Sequence, residues 1–307
     1  MKLLILDIFH KIHIMKKSLY FISLISFLVF TGFMSVKDTK VKKFTLGDAI
    51  NKGMFKATVK GKGGYSGDVI LMNVVNVSSL DTTIYIEAGR RLNSEDSTVQ
   101  DILIVKEVPL LVRAGEEKEV NIFGFCCQAT NHAPSVDEKF DIGKMADSNL
   151  VKLAEFLNKN PYDIGIIQNA VWVVSNNHPL SSVGSSDVNK RKELKKLHNL
   201  LAAIKHLPID FSWYTLTFKT DTARLFSGVP DSLYGDIDYS LWNTSPASLL
   251  VVDDRGHVVH RFFSEKIHNP NTYSYEVKLS VDGWPKGKYF LRLVANNQKK
   301  LERIFEL

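Results

Sequence analysis

The residue types able to carry nucleophilic or metal chemistry are few and scattered. Cys126 and Cys127 are the chain's two cysteines, and they are neighbours. An adjacent pair closes only a small strained ring and cannot tie distant strands together, so stability is expected from packing. A free cysteine also serves simply as a small buried apolar residue. Nine histidines are present, with His10 and His13 near the start and His198 and His206 eight apart in a helical pattern. His257 and His260 are three apart on a strand pattern, which puts them on opposite faces and argues against a shared metal. Gly184-Ser185-Ser186 lies in a loop without a strand-to-helix elbow, and no His-Glu-x-x-His, Gly-x-Ser-x-Gly or Walker-type motif occurs. His132 with Asp137 or Asp141 is the remaining acid-base set, and nothing in the sequence fixes its geometry. The expectation is a non-enzymatic protein with no catalytic residue, cofactor or metal, a hydrolase of envelope polymers being the lesser alternative.

The elements that would position these residues begin at Phe44. Phe44 to Met54 reads as a short helix or turn and Phe55 to Lys60 as a strand. Gly61 to Gly67 lacks the Lys-Ser ending of a phosphate loop and reads as a bend. Strands are predicted over 69–77, 82–86, 102–105, 109–112 and 118–125, with Arg113-Ala-Gly-Glu-Glu as the turn before the last, a spacing that suggests a β-sandwich. Residues 128–205 change to helical spacing. Asp147 or Ser148 caps a helix whose stripe is Leu150, Leu153, Ala154 and Leu157, and Asp163 caps a second with Ile164, Ile167, Val171 and Val174. Past a Ser-rich loop, a third carries Leu194, Leu197, Leu201 and Ile204 beside Lys190, Arg191, Lys192, Lys195 and Lys196. That basic face reads as solvated, with anionic lipid or acid polymers as the alternative contact. Beyond His206-Leu207-Pro208, seven strands are predicted between Trp213 and Phe305, with hairpin turns at Asp254-Arg255-Gly256 and Asn296-Asn297.

At the start, Met15-Lys16-Lys17 leads into the apolar run Leu19 to Met34, the pattern of a secretory signal peptide. The run is shorter than the ~20 residues of a membrane-spanning helix. Residues 1–35 are therefore read as a signal peptide with an over-extended start, Met15 being the expected initiator, and no cysteine follows for lipid attachment. The formal net charge is +6, and half of it comes from Lys2, Lys11, Lys16 and Lys17 against Asp7. The remainder gives no electrostatic case for nucleic acid.

Two stretches resemble known families. Leu249-Leu-Val-Val-Asp-Asp-Arg-Gly-His-Val-Val, Tyr273-Ser-Tyr-Glu-Val and Pro285-Lys-Gly-Lys-Tyr-Phe-Leu-Arg-Leu, within residues 209–307, resemble the immunoglobulin-like module of flagellar hook-capping proteins and of type IX secretion sorting domains. That likeness implies passage across an outer membrane, although the chain ends Arg303-Ile-Phe-Glu-Leu without the customary terminal basic residue. Phe125-Cys126-Cys127, followed 42 residues after Cys126 by Ile167-Gln168-Asn169-Ala170-Val171-Trp172, resembles the two signatures of bacterial thioester domains. The resemblance implies a thiol at Cys126 and an acyl partner at Gln168, held together in a dry pocket where sulfur attacks the carboxamide and ammonia leaves. Trp172, one helical turn on, would cover the bond.

Together these readings predict a mainly β protein with a helical segment. An N-terminal β-sandwich with helical cap at 44–205 is followed by an immunoglobulin-like β-sandwich at 207–307. The expected role is binding or adhesion in the bacterial envelope or outside the cell, in the periplasm, at the outer-membrane surface or secreted. The partner would be a surface protein or glycan, with membrane contact only through the signal segment or the third helix. A covalent thioester adhesin is the first alternative.

Overall fold

The computed structural model describes residues 44–208, 213–220 and 226–307. The signal-peptide reading lies outside these residues. The protein is mainly β with a helical segment, as its alternation and turn residues predict.

Helix α1 (Leu46–Asn51), capped by the Thr45 hydroxyl, packs Leu46 and Ala49 inward ahead of strand β1 (Phe55–Lys62). Strands β2 (Ser66–Asn76), β3 (Thr82–Ile86), β4 (Arg90–Ser94), β5 (Ile102–Ile104), β6 (Val108–Val112), β7 (Glu117–Cys126) and β8 (Val136–Met145) follow. All neighbouring strands are antiparallel, and the order β1-β2-β7-β5-β4-β8 closes on itself, with β3 and β6 as a separate ladder. Closure removes the open edges that a free sheet would expose. The interior holds Phe55, Ile70, Met72, Ile102, Ile104 and Cys126, and the β3–β6 ladder adds Ile84 and Ile86 to it.

Strands β4 and β8 are additions to the predicted set. β8 falls in the stretch read as helical, but it carries Asp137, Glu138, Lys139, Asp141 and Lys144, and of its ten residues only Phe140 is buried. It pairs with β1 through Val59 opposite Phe140 and with β4 through Leu92 opposite Ile142, so it is the stave that closes the ring. β4 begins with buried Arg90, whose charge is matched by Glu87 three residues earlier.

The helical layer comprises α2 (Ser148–Lys159), α3 (Ile164–Ser175), a single 3-10 turn at Leu180–Ser182, α4 (Val188–Glu193) and α5 (Lys195–Ile204). Asp147 caps α2 as expected, accepting from the amides of Asn149 and Leu150. Asp163 sits at the head of α3, but its carboxylate turns to Lys190 at 2.7 Å instead of capping. The predicted third helix is two helices broken at Leu194, and the leucine stripe runs through the break undisturbed. Phe125 of β7 and Cys127 just past its end, with Leu103 of β5, share a core with Leu153, Leu157, Ile167 and Val171.

Strands β9 (Tyr214–Phe218), β10 (Pro230–Leu241), β11 (Ser245–Asp253), β12 (Val258–His268), β13 (Asn271–Ser280), β14 (Lys288–Ala295) and β15 (Gln298–Glu306) build two sheets, β13-β10-β9 and β12-β11-β14-β15. Their inner faces contribute Leu233, Ile237, Leu249, Val251, Leu291 and Phe305 to one core. Asn296 and Asn297 both adopt positive φ in the β14–β15 hairpin, a conformation asparagine tolerates better than most residues.

Candidate functional site

Side chains alternate across a strand, so the end of β7 serves two cores at once. Phe125 and Cys127 point into the helical layer, and Cys126 points into the barrel. Gly124 lets this strand lie close to β5, since a Cβ there would land inside the Ile102 side chain. Neither cysteine is exposed and both are unpaired thiols. Burial pushes both thiols up, Cys126 strongly and Cys127 to about 12. Desolvation favours the uncharged form, so neither supplies thiolate at neutral pH.

Gln168, 2% exposed on α3, does reach Cys126. Its Nε2 donates to the Cys126 carbonyl at 2.8 Å and its Oε1 accepts the Cys126 amide at 3.1 Å. The Cys126 amide also points to the Tyr65 carbonyl at 3.2 Å. The side chain thus imitates one rung of a β-ladder and adds a pair of bonds to the buried main chain at the strand end. The two residues singled out from the sequence are brought together, and they meet through the main chain of Cys126. Trp172 closes the outer side, stacked on Tyr65 at 6.5 Å between ring centres.

The other sequence candidates stay apart. His198 is buried and its Nε2 bonds the Val183 carbonyl, its charge disfavoured by desolvation. His206 lies past the end of α5 with positive φ. His257 bonds Asp253 in an exposed turn, and His260 lies against the Phe262 ring. His132 is tied by its main chain to Thr98 and Gln100, whereas Asp137 pairs with Lys60. Among the described residues no three His, Cys, Asp or Glu side chains cluster as a metal site.

A feature the sequence did not delimit is a cavity of about 1040 Å³ on the helical layer. Its walls are Asn160, Pro161, Tyr162 and Asp163 between α2 and α3, the first turn and Asn169 of α3, Gly184 and Ser185, and Lys190 to Lys196 except Arg191. Arg191 turns the other way and is 8% exposed. Its guanidinium binds Asp236 of β10 at 2.8 and 3.0 Å, Glu276 of β13 at 3.0 Å, and the carbonyls of Ser185 and Ser186. Beside it Gly184 lies flat against Thr215 of β9, where a Cβ would overlap the threonine side chain. The cavity wall is therefore fixed to the C-terminal sandwich from behind. Basic residues at helical spacing were legible as a face; the Asn160–Asp163 wall opposite them, about thirty residues earlier in the chain, was not.

No protein-family model and no curated protein matches this chain.

Proposed function

We propose that this chain is an exported, non-catalytic binding or adhesion protein of the bacterial envelope or extracellular space. The observation carrying the reading is the cavity on a helical layer that is anchored on two sides. One side shares an apolar core with the barrel and the other is pinned to the sandwich by Arg191. Such fixing lowers the ordering cost of binding, since the side chains that meet a ligand start from a rigid frame. The apolar run after Lys17 and the likeness of the last hundred or so residues to sorting modules support export. Cell fractionation with protease shaving, together with an array of envelope glycans and surface proteins probed with labelled protein, tests it. Surface exposure with saturable binding and an unaltered ligand is expected; cytosolic retention, or release of cleaved ligand, overturns it.

A second reading, the covalent adhesin, is favoured by the contact of Gln168 with Cys126. It requires the thiol to leave the barrel core and the carboxamide to leave the main chain. Intact mass spectrometry without reductant decides between the two. A thioester lowers the mass by ~17 Da, converts to a methylamine adduct and loses the deficit in Cys126→Ala and Gln168→Ala; the binding reading expects the full mass.

A further inference from the structure

We propose that the cavity between the Asn160–Asp163 loop and helices α4 and α5 binds an acidic sugar, the negatively charged unit of a surface glycan; this assignment rests on the binding function proposed above. Four lysines border the cavity, and Asp163 neutralises one of them, Lys190. Glu193 is a second carboxylate on the wall, but among the described residues no carboxylate is within ion-pair distance of Lys192, Lys195 or Lys196, so four lysines against two acids leave the lining positive. Lys195 and Lys196 also occupy the first turn of α5, which has no side-chain cap. The head of α5 follows the end of α4 across the single residue Leu194, and Lys192 stands three and four positions before Lys195 and Lys196, so like charges repel at helical spacing, a cost that an anion would offset. A fold departs from its local preferences chiefly where function requires it.

The opposite wall indicates what the anion is attached to. Asn160 and Asn169 each spend a side-chain N–H inside the protein, on the carbonyls of Phe156 and Ser182. Among the described residues neither Oδ1 has a hydrogen-bond partner, and a carboxamide oxygen only accepts. Two fixed acceptors suit hydroxyl donors, which a sugar supplies and a fully ionised phosphate lacks. Tyr162 stacks on Phe156 at 6.2 Å between ring centres, which holds the phenol ring rigid on the cavity wall. Charge recognition on one wall and hydroxyl acceptors with an aromatic ring on the other match a carboxylated or sulfated sugar better than a lipid headgroup.

The test is calorimetric titration of the purified protein with short polygalacturonate fragments, with neutral dextran of equal length, with inorganic phosphate and with vesicles containing phosphatidylglycerol. Saturable binding of the uronate alone is expected. Lys192→Gln/Lys195→Gln/Lys196→Gln should weaken it about tenfold, the combined effect of three exposed ion pairs. Tyr162→Ala should weaken it at unchanged salt dependence, and Lys152→Gln, on α2 away from the cavity, should leave it unaltered. Circular dichroism confirms that each variant is folded. No uronate binding, or binding indifferent to both sets of variants, overturns the assignment. Equal lysine-dependent binding of phosphate or vesicles overturns the sugar. If a variant lacking all cavity lysines still binds the envelope surface like the parent, the cavity assignment fails and the binding function stands; if the parent binds no surface, the function itself fails.

Discussion

The helical layer meets its two neighbours by opposite means. Against the barrel it shares one apolar core, in which Phe125, Leu103 and Cys127 interdigitate with α2 and α3, and the Gln168 bonds to Cys126 lie within the same contact. Against the sandwich it offers a guanidinium to two carboxylates, a glycine laid on a threonine and an aromatic stack between His178 and Phe226 at 4.1 Å. Among the described residues, none that fills the sandwich core comes from the helical layer. Apolar burial is insensitive to mild acid and to screening by salt, whereas ion pairs respond to salt and buried imidazoles to acid. Barrel and helices should therefore behave as one cooperative unit, with the sandwich joined to it by a seam that solution conditions can loosen.

The sharpest test of the apolar side is Phe125→Ala. The ring is fully buried and packs edge-on to Phe123 at 5.2 Å, so its removal leaves a cavity between β7 and the helices. A loss of about 3–5 kcal/mol is expected in denaturant unfolding, with the same loss at low and high salt. A small or salt-dependent change would remove the distinction between the two contacts.

On the polar side, Arg191→Met keeps most of the aliphatic volume and deletes the charge. Asp236 and Glu276 have side chains 31% and 36% exposed. Water can recover part of their solvation, so the expected cost is smaller, about 1–3 kcal/mol. In calorimetry the sandwich's transition should separate from that of the barrel and helices. A single transition shifted as a whole would mean that Arg191 is not what couples them.

Acid should loosen the same seam. Burial and then the nearby Lys205 charge hold His178 neutral, with its pKa lowered to about 4. In the unfolded chain it binds a proton near its ordinary value of about 6.5. Its contribution is therefore fully present above about pH 6.5 and is lost as pH falls toward 4. His198 is lowered by burial as well and acts in the same direction. Denaturant titrations from pH 7 to pH 4 should show falling stability, and His178→Phe should flatten part of that slope. An unchanged slope would place the acid sensitivity elsewhere.

The sequence exposed these elements unevenly, for physical reasons. Strands with an alternating apolar side, such as β3 and most of the sandwich, were legible because half their residues face a core. β8 was hidden because one buried phenylalanine suffices for a stave whose other side chains meet solvent, and β4 because its buried end is an arginine matched by Glu87. The break at Leu194 was hidden because a leucine stripe keeps its period through a one-residue interruption. The pairing of residues 126 and 168 could be suspected from short motifs, but that the carboxamide serves the main chain depends on which face of β7 meets α3. Hydrophobic pattern near Cys126 is almost uniform and does not reveal that face.

The smallest expected effect separates a lysine face kept for solubility from one kept for a ligand. If the α5 lysines merely solvate the surface, replacing them changes little. If they are held beside Lys192 for an anion, Lys195→Gln/Lys196→Gln should stabilise the free protein by about 0.2–0.5 kcal/mol per like-charge pair removed at low salt, with the gain vanishing as salt rises. The same double variant should lose the stabilisation that added uronate gives the parent, because a ligand raises apparent stability only through binding to the folded state. Stability and affinity would then move in opposite directions at the same two residues. A surface chosen only for solubility gives no reason for that opposition, so finding neither change would return Lys195 and Lys196 to the solvated face.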